Sequence, residues 1–417
     1  MNRQMINNLE VNTLFINKFK TISFAIVFFS EYTQKNIVLN RILGQILSTT
    51  SRNYPTKKEF SNRVYELYHT YFSMFSRNYD ETLMSVLLVT MVNPTLIQEE
   101  NYFDDVKEFF WQSILQPNRI DGSFSQKDFN EEKKLMLTSI ENMYNNKESY
   151  AYHRLIEEMA PNEIINIKPY GTKEVLNEIS LSELTDYYHY LFTDCNCKGY
   201  AIGDITDEMV NSFFASCSFS TKNTDMKLYA HPTFLPKEIH YIEEKQDVKQ
   251  GKLVLGYRTN IHYFHQYYFP MVLFDLMLTG MTTSSLFKVV REQYGLAYSI
   301  HSTVQYDAKI LTIQAGIEEE NKDKTVNIIQ KIIQDYQNNV DEKLLQMAKD
   351  TLISYYTETN DDCQSLLLFQ IRTDLIKKMN IDEIIAAVNT VNTQQIKEVA
   401  KMIFLDTIYF LYGDKNE

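Results

Sequence analysis

Apolar and polar positions along the chain run through one pattern twice. The apolar run Thr82-Leu-Met-Ser-Val-Leu-Leu-Val89 has strand length, and Ile310-Leu-Thr-Ile-Gln-Ala315 is its alternating match in the second pass. Each is followed by apolar residues at helical spacing: Val106, Phe109, Phe110 and Ile114 in one pass, Val326, Ile329, Ile333 and Tyr336 in the other. Long charged-and-apolar stretches come next and predict helix over roughly 127–159 and 341–379.

Landmarks hold the two passes in register. Glu66-Leu-Tyr-His-Thr-Tyr-Phe-Ser73 lies over Glu292-Gln-Tyr-Gly-Leu-Ala-Tyr-Ser299, and Tyr79-Asp80 over Tyr306-Asp307. Both passes close alike, with Leu191-Phe-Thr-Asp194 and Tyr200-Ala-Ile-Gly-Asp204 in the first, Phe404-Leu-Asp406 and Tyr409-Phe-Leu-Tyr-Gly-Asp414 in the second. Four landmarks in one order mean a duplication. The expected fold is α+β: two tandem homologous domains, 1–217 and 241–417, each a mostly antiparallel sheet covered by helices on one face. Residues 218–240 are polar and carry Pro232 and Pro236, which reads as an extended linker. A linker of that length lets the two halves face each other like a clam.

Composition narrows the function. The chain has 417 residues, 44% hydrophobic and 23% charged, so it buries large cores and is not disordered. Its net charge of −13 leaves no basic stripe, which argues against a nucleic-acid partner. The apolar run Ile22–Ser30 is about half of what a bilayer crossing needs, so no membrane role is expected. Four cysteines (195, 197, 217, 363) are too few and scattered for a disulfide framework, and the expected compartment is the cytoplasm.

The copies differ at one chemical feature. The second reads Ser284-Ser-Leu-Phe-Lys-Val-Val-Arg-Glu-Gln-Tyr-Gly-Leu-Ala-Tyr-Ser-Ile300. Leu286, Val289 and Val290 give helical spacing, Gly295 stands where a left-handed helix stop belongs, and Tyr298 falls on the next strand. Arg291, in the last turn, complements the helix dipole. The first copy has Tyr65 and Phe72 at the two positions. By residue type alone the pair is a helix-end charge and a half-buried strand residue.

The stretch 286–300, together with 168–192 (KPYGTKEVLNEISLSELTDYYHYLF) and the Gly-Asp endings, resembles the pitrilysin/insulinase family of zinc peptidases, specifically its small bacterial two-subunit branch. The resemblance runs over nearly the whole chain. It implies that Arg291 and Tyr298 hydrogen-bond the scissile carbonyl of a substrate, where donors facing a developing oxyanion are each worth about 2.7–4 kcal/mol. It also implies a zinc site on a first-copy helix, H-x-x-E-H with a distant glutamate. The matching helix is expected at 37–50, and the motif positions read Arg41-Ile42-Leu43-Gly44-Gln45. The third-ligand register falls on Ser139, with Glu141 two residues away. No metal, and no catalytic residue of this chain acting alone, is therefore expected.

Substitute ligands are weak. His262 and His265 are three apart, as if on a helix face, but in the wrong half; His153 with Glu157 and Glu158 reads as an exposed charge cluster. The resemblance therefore implies a non-catalytic subunit of a heterodimeric metalloendopeptidase. A zinc-bearing pitrilysin-like subunit would be its partner and a short unstructured peptide the substrate. The other reading is an inert scaffold or binding subunit of a peptide-modification or core-type complex.

Overall fold

The computed structural model describes residues 2–217, 219, 235–376 and 378–413. Most of the expected linker, 218 and 220–234, lies outside these residues, as does Asp414.

Two sheets dominate. The first is built from β1 (Asn2–Ile6), β2 (Leu9–Phe15), β3 (Thr21–Glu31), β4 (Tyr71–Tyr79), β5 (Thr82–Val92) and β6 (Asn196–Gly203), in the order β1-β2-β6-β3-β5-β4. The second is built from β7 (His240–Lys245), β8 (Gly251–Arg258), β9 (Ala297–Gln305), β10 (Ile310–Ile317) and β11 (Phe404–Tyr412), in the order β7-β11-β8-β10-β9. Read from β2 onward, the first order is the second with every strand replaced by its counterpart. Even the parallel pair recurs: β2 with β6, and β7 with β11, while the other pairs are antiparallel. The architecture is α+β with two tandem, homologous sheet-and-helix assemblies, and the apolar run at 22–30 is the central strand β3.

The principal helices are α1 (Gln34–Leu47), α2 (Tyr102–Leu115), α3 (Gln126–Asn145), α4 (Lys147–Met159), α5 (Tyr268–Asp275), α6 (Lys322–Tyr336), α7 (Glu342–Thr359) and α8 (Cys363–Leu375). The stretch predicted as one helix over 127–159 breaks at Asn146. Its side chain leaves the helical pattern to accept from the amides of Glu148 and Ser149, both at 3.1 Å, and so caps α4.

The chain forms two compact units from interleaved stretches. Unit 1 holds Met1–Ile140, Ile167–Tyr229 and Thr359–Leu375; unit 2 holds Glu141–Asn166, Ala230–Glu358 and Ile376–Glu417.

In unit 1, β3 is buried on both faces. Phe24 stacks on Phe213 at 4.1 Å within the main helical layer, while Ser23, on the other face, lies 3.6 Å from Cys363 of α8. Asp374 on α8 then accepts from the Tyr200 hydroxyl at 2.9 Å and pairs with Lys198 at 3.2 Å and Arg3 at 3.3 Å. Burial, reinforced by Asp374, holds the Tyr200 phenol far above its ordinary range.

Unit 2 repeats the device with α4. Leu155, Ile156 and Met159 pack with Val254, Ile310, Tyr409 and Leu411, each large aliphatic residue worth about 1.5–3 kcal/mol when buried. Glu244 on β7 accepts from Tyr150 and Tyr409, both at 2.7 Å, from Gln246 at 2.6 Å and from Arg154 at 3.4 Å. Burial alone would raise the Glu244 carboxyl; the donors, Tyr409 first, outweigh it and hold the group at about 2.

Candidate functional site

Residues 284–298 of unit 2 form a helix, a turn and the start of an edge strand. The helix is not α but π over Phe287–Gln293. Tyr294 donates from its amide to the Val289 carbonyl at 3.1 Å, one residue further back than in an α-helix. Gly295, at φ +62°, turns the chain out of the helix, and the Leu296 amide returns to the Val290 carbonyl at 2.9 Å. A residue with a Cβ is disfavoured at that φ, which is why glycine stands there. Arg291 sits in the last turn, exposed, its guanidinium 4.7 Å above the Phe287 ring.

The strand β9 begins with an irregularity. Ala297 pairs with Ile317 and Ser299 with Gly316, so Tyr298 has no cross-strand residue opposite it. Such a bulge re-aims a side chain. Tyr298 is 65% exposed, and its hydroxyl donates to Glu318 at 3.1 Å. That bond to a carboxylate holds the phenol above its usual value. The fold thus places Arg291 and Tyr298 on one short, exposed stretch of unit 2, each with a partner of its own. Phe287 and Glu318 were not legible as site residues, although the run Glu318-Glu-Glu320 at the end of β10 marks an acidic corner.

The counterpart stretch of unit 1 is built differently. Tyr65, at the arginine position, is 68% exposed. Phe72, at the phenol position, is wedged among the rings of Phe60, Phe109 and Phe110 with centroids 6.1, 5.9 and 5.6 Å away. Its strand β4 keeps regular register here, with Phe72 opposite Val89. The same architecture therefore presents a phenol in one copy and a packed ring in the other.

The stretch read as a degenerate motif lies on α1, which is capped by Thr33, whose side chain accepts the Asn36 amide at 3.1 Å. Arg41 turns to the 168–171 segment: its Nε donates to the Pro169 carbonyl at 2.8 Å and its guanidinium lies 4.1 Å from the Tyr170 ring. Burial lowers its pKa. Gly44, where the resemblance puts the base, is buried so close to β4 that a Cβ there would stand 2.8 Å from the Met74 carbonyl oxygen. Gln45 is exposed. Ser139 on α3 donates to the Leu135 carbonyl of its own helix at 3.0 Å. A cation, a glycine and an amide are not the donor set of a zinc site. These residues do not fit the metal that the resemblance implies.

The substitute ligands fare no better. His262 and His265 occupy turns before α5 rather than a shared helix face, and their Nδ1 atoms accept the amides of Phe264 and Tyr267 at 3.0 and 3.1 Å. His153 packs against the Tyr152 ring at 5.2 Å, and the neighbouring glutamates Glu157 and Glu158 both pair with Arg154. Among the described residues no group of three or more His, Cys, Asp or Glu side chains is placed to hold a metal ion. Among them, too, no helix is long and apolar enough to cross a membrane.

Comparison with known proteins agrees with this geometry. Residues 178–352 match the family described as Peptidase M16 inactive domain. Over 406 residues the chain is 26% identical to the Probable inactive metalloprotease YmfF of Bacillus subtilis (strain 168), covering 96% of this chain and 94% of that protein. Over 294 residues it is 24% identical to the Uncharacterized zinc protease YmxG of the same organism, covering 68% and 70%. In fold it is similar to a conserved protein from Enterococcus faecalis V583, with a TM-score of 0.90 at 24% identity over 99% of this chain and 98% of that one.

Proposed function

We propose, for a chain that is a pitrilysin/insulinase-like protein with an M16 inactive-domain match, that it serves as the non-catalytic subunit of a heterodimeric zinc metallopeptidase. In this reading Arg291 and Tyr298 bind the scissile carbonyl of a short, unstructured peptide in the cytoplasm, and a zinc-bearing pitrilysin-like subunit supplies metal and base. The observation that carries it is the bulge at Tyr298. The ladder gives up a regular pair to hold a phenol in solvent, one turn beyond an exposed arginine, where the first copy packs Phe72 among aromatic rings. Retained donors beside a motif that fits no metal suit a chain that grips substrate for another subunit's chemistry. Similarity to a protein called a zinc protease supports a partner of the same architecture.

One observation favours the second reading, an inert scaffold or binding subunit. The Tyr298 hydroxyl already donates its hydrogen bond to Glu318, and a scaffold needs nothing more of it. The test is to mix the purified chain with a zinc-bearing pitrilysin-like protein from the same host and follow cleavage of unstructured peptides. Cleavage that needs both chains supports the peptidase subunit; a stable complex whose cleavage rate is the same without this chain supports the scaffold.

A further inference from the structure

The motif helix does more than lack ligands. Gly44 stands at the position of the water-activating glutamate, and its α-carbon is pressed against the edge strand β4. A Cβ built there meets the Met74 carbonyl oxygen at 2.8 Å and the Met74 Cβ and Cγ at 3.4 Å. The nearest of these is backbone, which no rotamer change relieves. Three residues earlier, Arg41 grips Pro169 and Tyr170. Two turns before that, Gln34 exchanges two hydrogen bonds with the backbone of Lys168, its amide nitrogen donating at 2.9 Å and its carbonyl oxygen accepting at 3.1 Å.

We infer that this face of α1 has been rebuilt into a seat, with β4 against Gly44 and the 168–171 segment under Arg41 and Gln34. The base position is thereby closed by the backbone. The inference is independent of the roles proposed for Arg291 and Tyr298. Its consequence is that restoring the motif side chains does not restore the site, because a glutamate at 44 displaces β4 and a histidine at 41 releases the 168–171 segment.

Thermal unfolding of the full chain tests this without any metal or substrate. In an ordinary helix interior Gly→Ala raises stability. Here Gly44→Ala is expected to lower the melting temperature by at least about 3 °C, a large shift for a unit of this size. Gly44→Glu is expected to lower it further, with Gln45→Ala, at the exposed neighbour, as the near-neutral control. A rise in Gly44→Ala overturns the inference. Because the obstacle is the Met74 carbonyl, the double variant Gly44→Ala with Met74→Ala keeps the same loss relative to Met74→Ala alone; full rescue by Met74→Ala would show the contact to be side-chain only and would also overturn it. Arg41→His is expected to speed amide exchange at Gly171, whose amide donates to the Lys168 carbonyl at 3.0 Å, while unchanged exchange contradicts the seat.

Discussion

The hydroxyl of Tyr298 donates to Glu318 across 3.1 Å from a strand position that has no residue opposite it. Its counterpart Phe72 faces Val89 in a regular ladder and packs among three rings. One fold thus carries a packed position and a presenting position at equivalent places, and only the presenting one lies at a bulge.

The Glu318 bond makes the first prediction. The carboxylate holds the phenol above its ordinary value, so Glu318→Ala should bring the Tyr298 titration down toward 10. The difference in ultraviolet pH titration between Glu318→Ala and Glu318→Ala/Tyr298→Phe isolates that group. A Tyr298 midpoint equal to that in the unmodified chain would mean that the hydrogen bond is not formed in solution.

Interleaving of the two units makes the second. A fragment ending at residue 217 lacks α8, and with it the cover over Ser23 and the Asp374 carboxylate that Tyr200, Lys198 and Arg3 share. It also carries α4 without the apolar partners that bury Leu155 and Met159. Such a fragment should aggregate or melt without cooperativity, and appending residues 359–375 through a flexible linker should recover a cooperative transition by circular dichroism. A fragment that melts as sharply as the full chain would refute this account of the core. In the full chain, Tyr200→Phe should cost about 1–3 kcal/mol, since it removes a buried donor to a charged acceptor.

Acid sensitivity makes the third. The Glu244 carboxyl is depressed to about 2 in the folded state against 4.5 in the open chain. A depressed acid contributes stability above its unfolded value and loses it as pH falls through the folded value. The stability difference between the unmodified chain and Glu244→Gln should therefore be full at neutral pH and shrink between about pH 4.5 and 2. Denaturant unfolding at several pH values reads this, and a pH-independent difference would contradict the Glu244 network.

These features were unevenly legible in the sequence. The duplication showed because apolar periodicity and turn residues are local, and 82–89, 310–315 and the helices at 106–114 and 326–336 fell where their spacing placed them. The destinations of α4 and α8 did not show. An apolar face says that a helix is buried but not on which sheet, and each of these closes the far face of a sheet whose unit draws on both halves of the chain. The break at Asn146 was hidden because asparagine is tolerable in a helix and marks a cap only once its side chain finds the amides that follow. The motif helix was placed correctly to within three residues, and its missing ligands were plain. Its closure was not, because the contact between Gly44 and Met74 joins residues 30 apart in sequence. Arg291 and Tyr298 were named from residue type and resemblance; the π-turn and the bulge that present them come from hydrogen-bond registers that no residue pattern specifies.

The central claim is that this chain lends two donors to a reaction whose metal belongs to another subunit. Its most direct test is kcat/KM for peptide cleavage by the assembled pair, comparing the unmodified chain with Arg291→Ala, Tyr298→Phe and the double variant. The account predicts a fall of about 10²–10³-fold for each single loss of a carbonyl donor, with assembly of the pair and zinc content unchanged. A double variant that cleaves at the unmodified rate would contradict it.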